Sequence, residues 1–365
     1  MPESTHQPPS KEAVLAALSQ IQDPDLHRDI VSLGFVKSED ISICGGNVAV
    51  KIVLTTPACP VREEMKRQAE ELLMALPGVE HAEASMEASV RSTSMRGQHP
   101  VEGVRNIVAV ASNKGGVGKS TVAVNLALAL AKYGARVGLL DADLTGPNLP
   151  TMMGVEAGLQ ADHGLSIIER HGIRLASIGF VLKPGLAVIW RGPMIGTGVR
   201  QLLHDLPWAE KGDLDYLVID LPPGTSDASM SMAQEAPIAG VVIVTTPQAV
   251  SLEDASKAVT MFERLNVPIF GVVENMSHFL CPHCGQRTDI FGHGGARAAA
   301  EELGLDFLGE IPIDVRVREG GDQGVPIVES HPEAPVSQAF MAIAQKVAAK
   351  TSVQHFFTQA ALPGR

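Results

Sequence analysis

Two short stretches carry the residues whose types and spacing suit chemistry. The first, NKGGVGKST from Asn113 to Thr121, has glycines at 115, 116 and 118. Backbone N–H groups there can converge on an anion without obstruction by a Cβ, and the positive end of a following helix adds to their field. That arrangement suits a phosphate chain. Within the run Gly115, Gly116, Val117, Gly118, Lys119, Ser120 and Thr121, Lys119 reaches the outer phosphates, Ser120 offers its hydroxyl to Mg2+ and Thr121 lines the inner phosphates. The loop departs from G-x-x-x-x-G-K-[ST] in one respect: the opening glycine is absent and a second lysine, Lys114, stands beside the gap.

The second stretch is CPHC, Cys281 to Cys284. Two thiolates at this spacing can face one metal or cluster, but they leave a tetrahedral site or a cubane half-ligated. A second copy of the chain would complete the set. His278, His283 and His293 are close enough in sequence to offer another completion, a mixed Cys/His zinc site in one chain, and the spacing does not separate zinc from iron-sulfur.

Carboxylates fall where a phosphate site uses them. DADLTGPN follows the apolar run RVGLL, which puts Asp141 near a strand end and Asp143 in the next loop. Asp220 closes YLVI in DLPPGTSD, the position from which a carboxylate holds Mg2+ through water, and Gly224 is a hinge beside it. An acidic residue after a strand is often only a turn former; two in this order after a phosphate loop point to the loop's ligand.

These residues need a scaffold, and the pattern around them describes one. IVAVAS, RVGLLD, DYLVID, GVVIVTT and IFGVVEN are apolar runs separated by helix-length segments, which predicts an α/β fold, a parallel sheet with helices on both faces, over residues 105–350. Ligands in that architecture sit at the carboxyl ends of strands. Upstream, Ser10 caps a helix beginning KEAVL, and Val48, Val50, Ile52 and Leu54 alternate as on a half-buried strand. A helix starting at Pro60 and a strand in EASMEASVR complete a small α+β domain over 10–92. Residues 1–9 read as a loose tail, 93–104 as a linker and 351–365 as a C-terminal tail. Cys59 falls at a helix N-terminus, whose dipole favours the thiolate; it also suits a half-buried small apolar side chain. Cys44 reads as structural, and Asp23 suits a turn former and a functional carboxylate equally.

Composition excludes several classes. Of 365 residues, 45% are hydrophobic, enough for a substantial core, and 41 acidic against 29 basic residues give a net charge of -12. The chain therefore repels nucleic acid and anionic lipid on average. Four cysteines are too few for a disulfide scaffold. No apolar run approaches the ~20 residues that cross a bilayer, and no leader pattern opens the chain, so the expectation is a soluble cytoplasmic protein without nucleic-acid or membrane partners.

With Lys114 at its entry, the loop resembles the deviant phosphate loop of the MinD/ParA/Mrp class of ATPases. KGGVGKST, DADLTGPN, IWRGPM (Ile189 to Met194), DLPPGTSD, VENMS, CPHCG, FGHGG and IPID together resemble the Mrp/ApbC family of iron-sulfur cluster carrier ATPases over about residues 105–345. IQDPDLHRDIVSLGFV and TTPACPVREEM are similar to a small domain of iron-sulfur assembly factors. The resemblance implies ATP as the nucleotide and slow, dimer-dependent hydrolysis. Lys114 would contact the phosphates of a second subunit, Asp143 would position the attacking water, and Asn275 would read adenine with IPID closing the other side of the base. It also implies a homodimer that holds a labile [4Fe-4S] cluster between Cys281 and Cys284 of both chains, takes it from scaffold proteins and passes it to apo-proteins, and it favours a cluster or partner contact for Cys59. The competing reading is a ParA/MinD-like positioning ATPase with structural zinc at the cysteine pair.

Overall fold

The computed structural model describes residues 8–93, 100–144, 146–160, 164–182, 192–224 and 227–360. Parts of the expected N-terminal tail, linker and C-terminal tail, the first half of IWRGPM, Thr145, and Thr225 and Ser226 of DLPPGTSD lie outside the described residues. The chain divides into two compact units, Met1–Arg91 and Ser92–Arg365.

In the first unit, Ile41–Cys44, Asn47–Leu54 and His81–Ala88 form a sheet in that order, the first pair antiparallel and the second parallel. Val48, Val50, Ile52 and Leu54 are buried, as their alternation requires. Ser10 caps Lys11–Leu18 by accepting from the Ala13 amide at 3.2 Å. The second helix runs Arg62–Met74 and so begins past Pro60. Its cap position, Val61, offers no side-chain acceptor, and Cys59 lies in the turn before it, its carbonyl accepting from the Arg62 amide. Asp23 forms a turn: one carboxylate oxygen accepts from the amides of Asp25 and Leu26.

The second unit is built on a nine-stranded sheet. Its parallel strands run in the order Phe307–Ile313, Ile269–Leu280, Ile238–Thr245, Ile107–Ala111, Tyr216–Asp220, Val137–Asp141, Ile173–Ser177. Ile168–Arg170 and Arg287–Thr288 add antiparallel pairs to Ile173–Ser177 and Ile269–Leu280. Ile107–Ala111 is central and buried throughout, as expected of a strand covered on both faces. Its chain continues to Val137–Asp141 on one side of Tyr216–Asp220, whereas Tyr216–Asp220 continues to Ile238–Thr245 across it. The strand order therefore reverses at the central strand, where a crevice opens at the carboxyl ends.

Helix Lys119–Lys132 leaves that crevice, buried from Val122 to Leu130. The C-terminal helix Pro335–Ala360 packs on it, and Phe340, Ile343 and Val347 of this helix are buried. This helix runs ten residues past the expected domain end at 350, because Thr351 and His355 are buried too, and the His355 ring donates to the Ser92 carbonyl at 2.7 Å. Among the described residues no helix is long and apolar enough to cross a membrane.

Candidate functional site

Gly116 and Gly118 have φ of 81° and 82°, left-handed values that residues with a Cβ rarely adopt. Gly118 is constrained twice, since a Cβ there would lie 2.2 Å from Asn275 Nδ2. At Gly115 and Gly116 a Cβ would meet no atom within 4 Å, so the space above the loop is open rather than packed. Gly224 donates its amide to the Ser112 carbonyl at 2.9 Å, joining the phosphate loop to the loop after Asp220. A cavity of about 790 Å3 opens here, its wall including Lys114, Lys119, Asp143, Asn275, Phe291 and Arg318. That volume accommodates a nucleotide.

Lys119 is buried and its ammonium pairs with the Asp220 carboxylate. Removing either partner leaves an uncompensated buried charge, a loss of about 3–5 kcal/mol. Asp141 lies beside this pair on the neighbouring strand, register-matched to Asp220. Its oxygens accept from the Asp143 amide at 3.1 Å, the Leu149 amide at 3.2 Å and the Ser177 hydroxyl at 3.1 Å. Burial, reinforced by the charge of Asp220, pushes its pKa up to about 7. Burial also raises Asp220, and the Lys119 ammonium opposes that rise. Asp143 is half-buried on the cavity wall, one oxygen accepting from the Gly146 amide at 3.1 Å. Lys114 is exposed on the same wall, and among the described residues no carboxylate pairs with it.

Asn275 is buried and its Nδ2 donates to the Val117 carbonyl at 2.8 Å. It reaches the loop through backbone recognition rather than facing the cavity alone. Ile311, Pro312 and Ile313, on the neighbouring strand, also line the cavity, Ile311 in register with Asn275. Asp314, the last residue of IPID, is engaged locally: it caps helix Val315–Gln323 through the Arg316 amide at 2.9 Å and pairs with the Arg316 guanidinium at 2.6 Å.

The strand that carries Asn275 ends at Leu280, and Cys281–Cys284 forms the turn leading back to Arg287–Thr288. Gly285 donates to the Cys281 carbonyl at 2.8 Å and Cys281 to the Gln286 carbonyl at 3.0 Å, which closes the turn. Both thiols are free, and Cys284 is exposed. The backbone amides of His283 and Cys284 hold the Cys281 thiol below its ordinary pKa. Leu280, Ile290 and Phe291 expose apolar surface next to the turn. Among the described residues no group of three or more His, Cys, Asp or Glu is placed to hold a metal. His278 instead faces Ser277 and Glu310, and His293 accepts from Arg287, so the single-chain zinc site is not assembled.

A family described as the NUBPL iron-transfer P-loop NTPase of the ParA type matches residues 103–348, and an iron-sulfur cluster assembly protein family matches residues 11–86. The chain belongs to the iron-transfer P-loop NTPases. An iron-sulfur cluster carrier protein of Synechocystis is 47% identical over 350 residues, covering 94% of this chain and 98% of the relative. A nucleotide-binding protein of Archaeoglobus fulgidus, solved in complex with ADP, is 41% identical with a TM-score of 0.56, covering 66% of this chain and 93% of that one. The cell division ATPase MinD of Pyrococcus furiosus, 24% identical with a TM-score of 0.50 over 66% of this chain and 98% of its own, shares the fold.

For this iron-transfer NTPase the structure brings Lys114, Gly115, Gly116, Gly118, Lys119, Ser120, Thr121, Asp143 and Asn275 to one cavity. Asp220 meets it through Lys119, and the cysteine pair lies beyond its wall at the end of the Asn275 strand. Of the two readings of Cys59, the half-buried side chain is the one its burial matches. Burial, reinforced by Asp23 and Asp25, pushes its thiol up rather than down, because the turn before Arg62 sinks the sulfur further than the helix end can offset. Sequence reasoning also missed the tie from Asp141 to Ser177, whose two residues share no motif.

The position of Asp141 yields a pH prediction. Its folded pKa lies above its unfolded value, so the folded state holds the proton longer, and the stability it contributes at low pH is lost as pH rises towards 7. The slope is at most about 1.4 kcal/mol per pH unit. Asp141→Asn cannot ionise, so the stability of this variant minus that of wild type should climb between about pH 4 and 7 and level off above that in nucleotide-free urea titrations. A pH-independent difference would show that Asp141 stays ionised throughout.

Proposed function

We propose that this chain is an ATP-hydrolysing carrier that holds a labile [4Fe-4S] cluster between two copies of itself and transfers it to apo-proteins. The observation that carries the reading is Cys281 and Cys284, a thiol pair at an exposed turn with no third metal ligand among the described residues, directly after the strand that also contacts the phosphate loop. Half a ligand set calls for a symmetric partner, and the apolar Leu280, Ile290 and Phe291 beside it supply surface for such a pairing. Family membership and the carrier relatives support the same cargo.

At the nucleotide site, polyphosphate entering the loop offers Lys119 a better partner than Asp220 alone, and the ammonium turns from the carboxylate to the outer phosphates. Asp220 and the Ser120 hydroxyl are then placed to hold Mg2+, which supplies charge neutralisation across the phosphates. Asp143 orients the attacking water. Lys114, unpaired in its own chain among the described residues, reaches the partner's nucleotide and stabilises the charge that develops there, so turnover is slow until two chains meet. Asn275 and the Ile311–Ile313 wall take the base.

Anaerobic reconstitution with iron and sulfide tests the reading. The expected product is a dimer with about four irons and four sulfides and absorbance in the thiolate-to-iron charge-transfer region. One metal per chain on a strictly monomeric protein would overturn it.

A further inference from the structure

The strand Ile269–Leu280 touches both halves of the proposed machinery. Asn275 is buried against the phosphate loop, its Nδ2 donating to the Val117 carbonyl at 2.8 Å and filling the notch that Gly118 leaves by having no Cβ. The strand then ends directly at Cys281. Between the two points it is irregular. Met276 has φ of 56°, and the pairing with Phe307–Ile313 shifts register between Asn275 and Phe279. A left-handed methionine persists only where its surroundings hold it, and such residues cluster at switching segments.

Those surroundings belong to both sites. Met276 lines the nucleotide cavity, as does Phe291 from the segment after the cysteine turn. Arg287, on the returning strand of the hairpin, bridges Asp289 at 2.8 Å, His293 at 2.8 Å and Glu310 at 3.3 Å, and Glu310 directly precedes the cavity residue Ile311. Glu274 fixes the next helix by accepting from the Ala296 amide at 2.8 Å, while its Oε1 is buried with no hydrogen-bond partner among the described residues. A carboxylate left half-satisfied beside a strained joint is what a second arrangement of the joint would relieve.

We propose that Asn275 is a positioning residue that carries the state of the phosphate loop through the Met276 joint to the Cys281–Cys284 turn. The proposal rests on the reading of that turn as the cluster ligand. A nucleoside diphosphate or triphosphate draws the loop's amides onto its oxygens, which moves the Val117 peptide to which Asn275 is bonded. The strand beyond Asn275 follows at the joint where its pairing already slips, and the two thiols change their setting.

Hydrogen exchange read by mass spectrometry on the metal-free full chain, with and without Mg·ADP, tests this. ADP is chosen because it presents no γ-phosphate to the partner's Lys114. Amides of residues 277–288 are expected to change their exchange rates by roughly threefold or more when loop amides 115–121 become protected. In Asn275→Ala, at ADP concentrations that still protect the loop, the hairpin response should fall away. Met276→Gly removes the left-handed conflict and, because its side chain also lines the cavity, is read likewise at ADP concentrations that protect the loop; it should weaken the response as well. A hairpin that ignores a protected loop in wild type, or a full response in both variants, overturns the relay. A chain that loads a cluster while its hairpin stays silent refutes the relay alone; one that shows the response but binds no iron supports the relay and refutes the carrier reading alone.

Discussion

Lys114→Ala is expected to lower the ATP turnover of the dimeric protein about a hundredfold or more, the scale lost when a charge stabilising a phosphoryl-transfer transition state is removed. The reason is positional. Lys119 is buried and committed to its own loop through Asp220, whereas Lys114 sits exposed at the cavity wall with no carboxylate paired to it among the described residues. A cation left uncommitted beside a polyphosphate site can serve the phosphates of another chain without breaking any contact in its own. Nucleotide affinity of the monomer should be little changed if, as proposed, the lysine serves the partner's phosphates. Steady-state ATPase at several protein concentrations, with sedimentation to establish association, measures the effect. Wild-type turnover by a dimeric Lys114→Ala protein would remove the cross-subunit role.

Cys281→Ala carries the other large effect. With one sulfur lost from each chain, a dimer retains two thiolates where a cubane needs four, and iron after anaerobic reconstitution should fall from about four per dimer to below about one, with loss of the charge-transfer absorbance. The turn lies apart from the phosphate loop, so nucleotide binding should survive. Cys44→Ala is the control: this exposed thiol ends the strand Ile41–Cys44 in the other unit, and its removal should leave the iron count unchanged. A full cluster in Cys281→Ala would refute the bridging site.

The phosphate loop was legible from the residues because its chemistry is local. Gly116 and Gly118 adopt conformations that only glycine takes readily, and Lys119 opens the helix that follows; a short window of sequence contains every requirement. The parallel sheet was legible for a similar reason, since strands buried on both faces must be apolar throughout. The helix start at Arg62, the extension of the last helix to Ala360 and the raised pKa of Cys59 were not. Each depends on how deeply a segment is buried by residues remote in the chain.

The sequence by itself marked a loop suited to phosphate and a thiol pair suited to a metal or cluster, because the φ freedom of glycine, the charge of lysine and the softness of thiolate belong to the residue types. Only the tertiary structure decided their partners. Strand pairing set Asp141 beside Asp220, brought Asn275 from 158 residues away onto the Val117 carbonyl, and ran one strand from that contact to Cys281. Such juxtapositions follow from the packing of whole elements around a common core, and no local pattern encodes them.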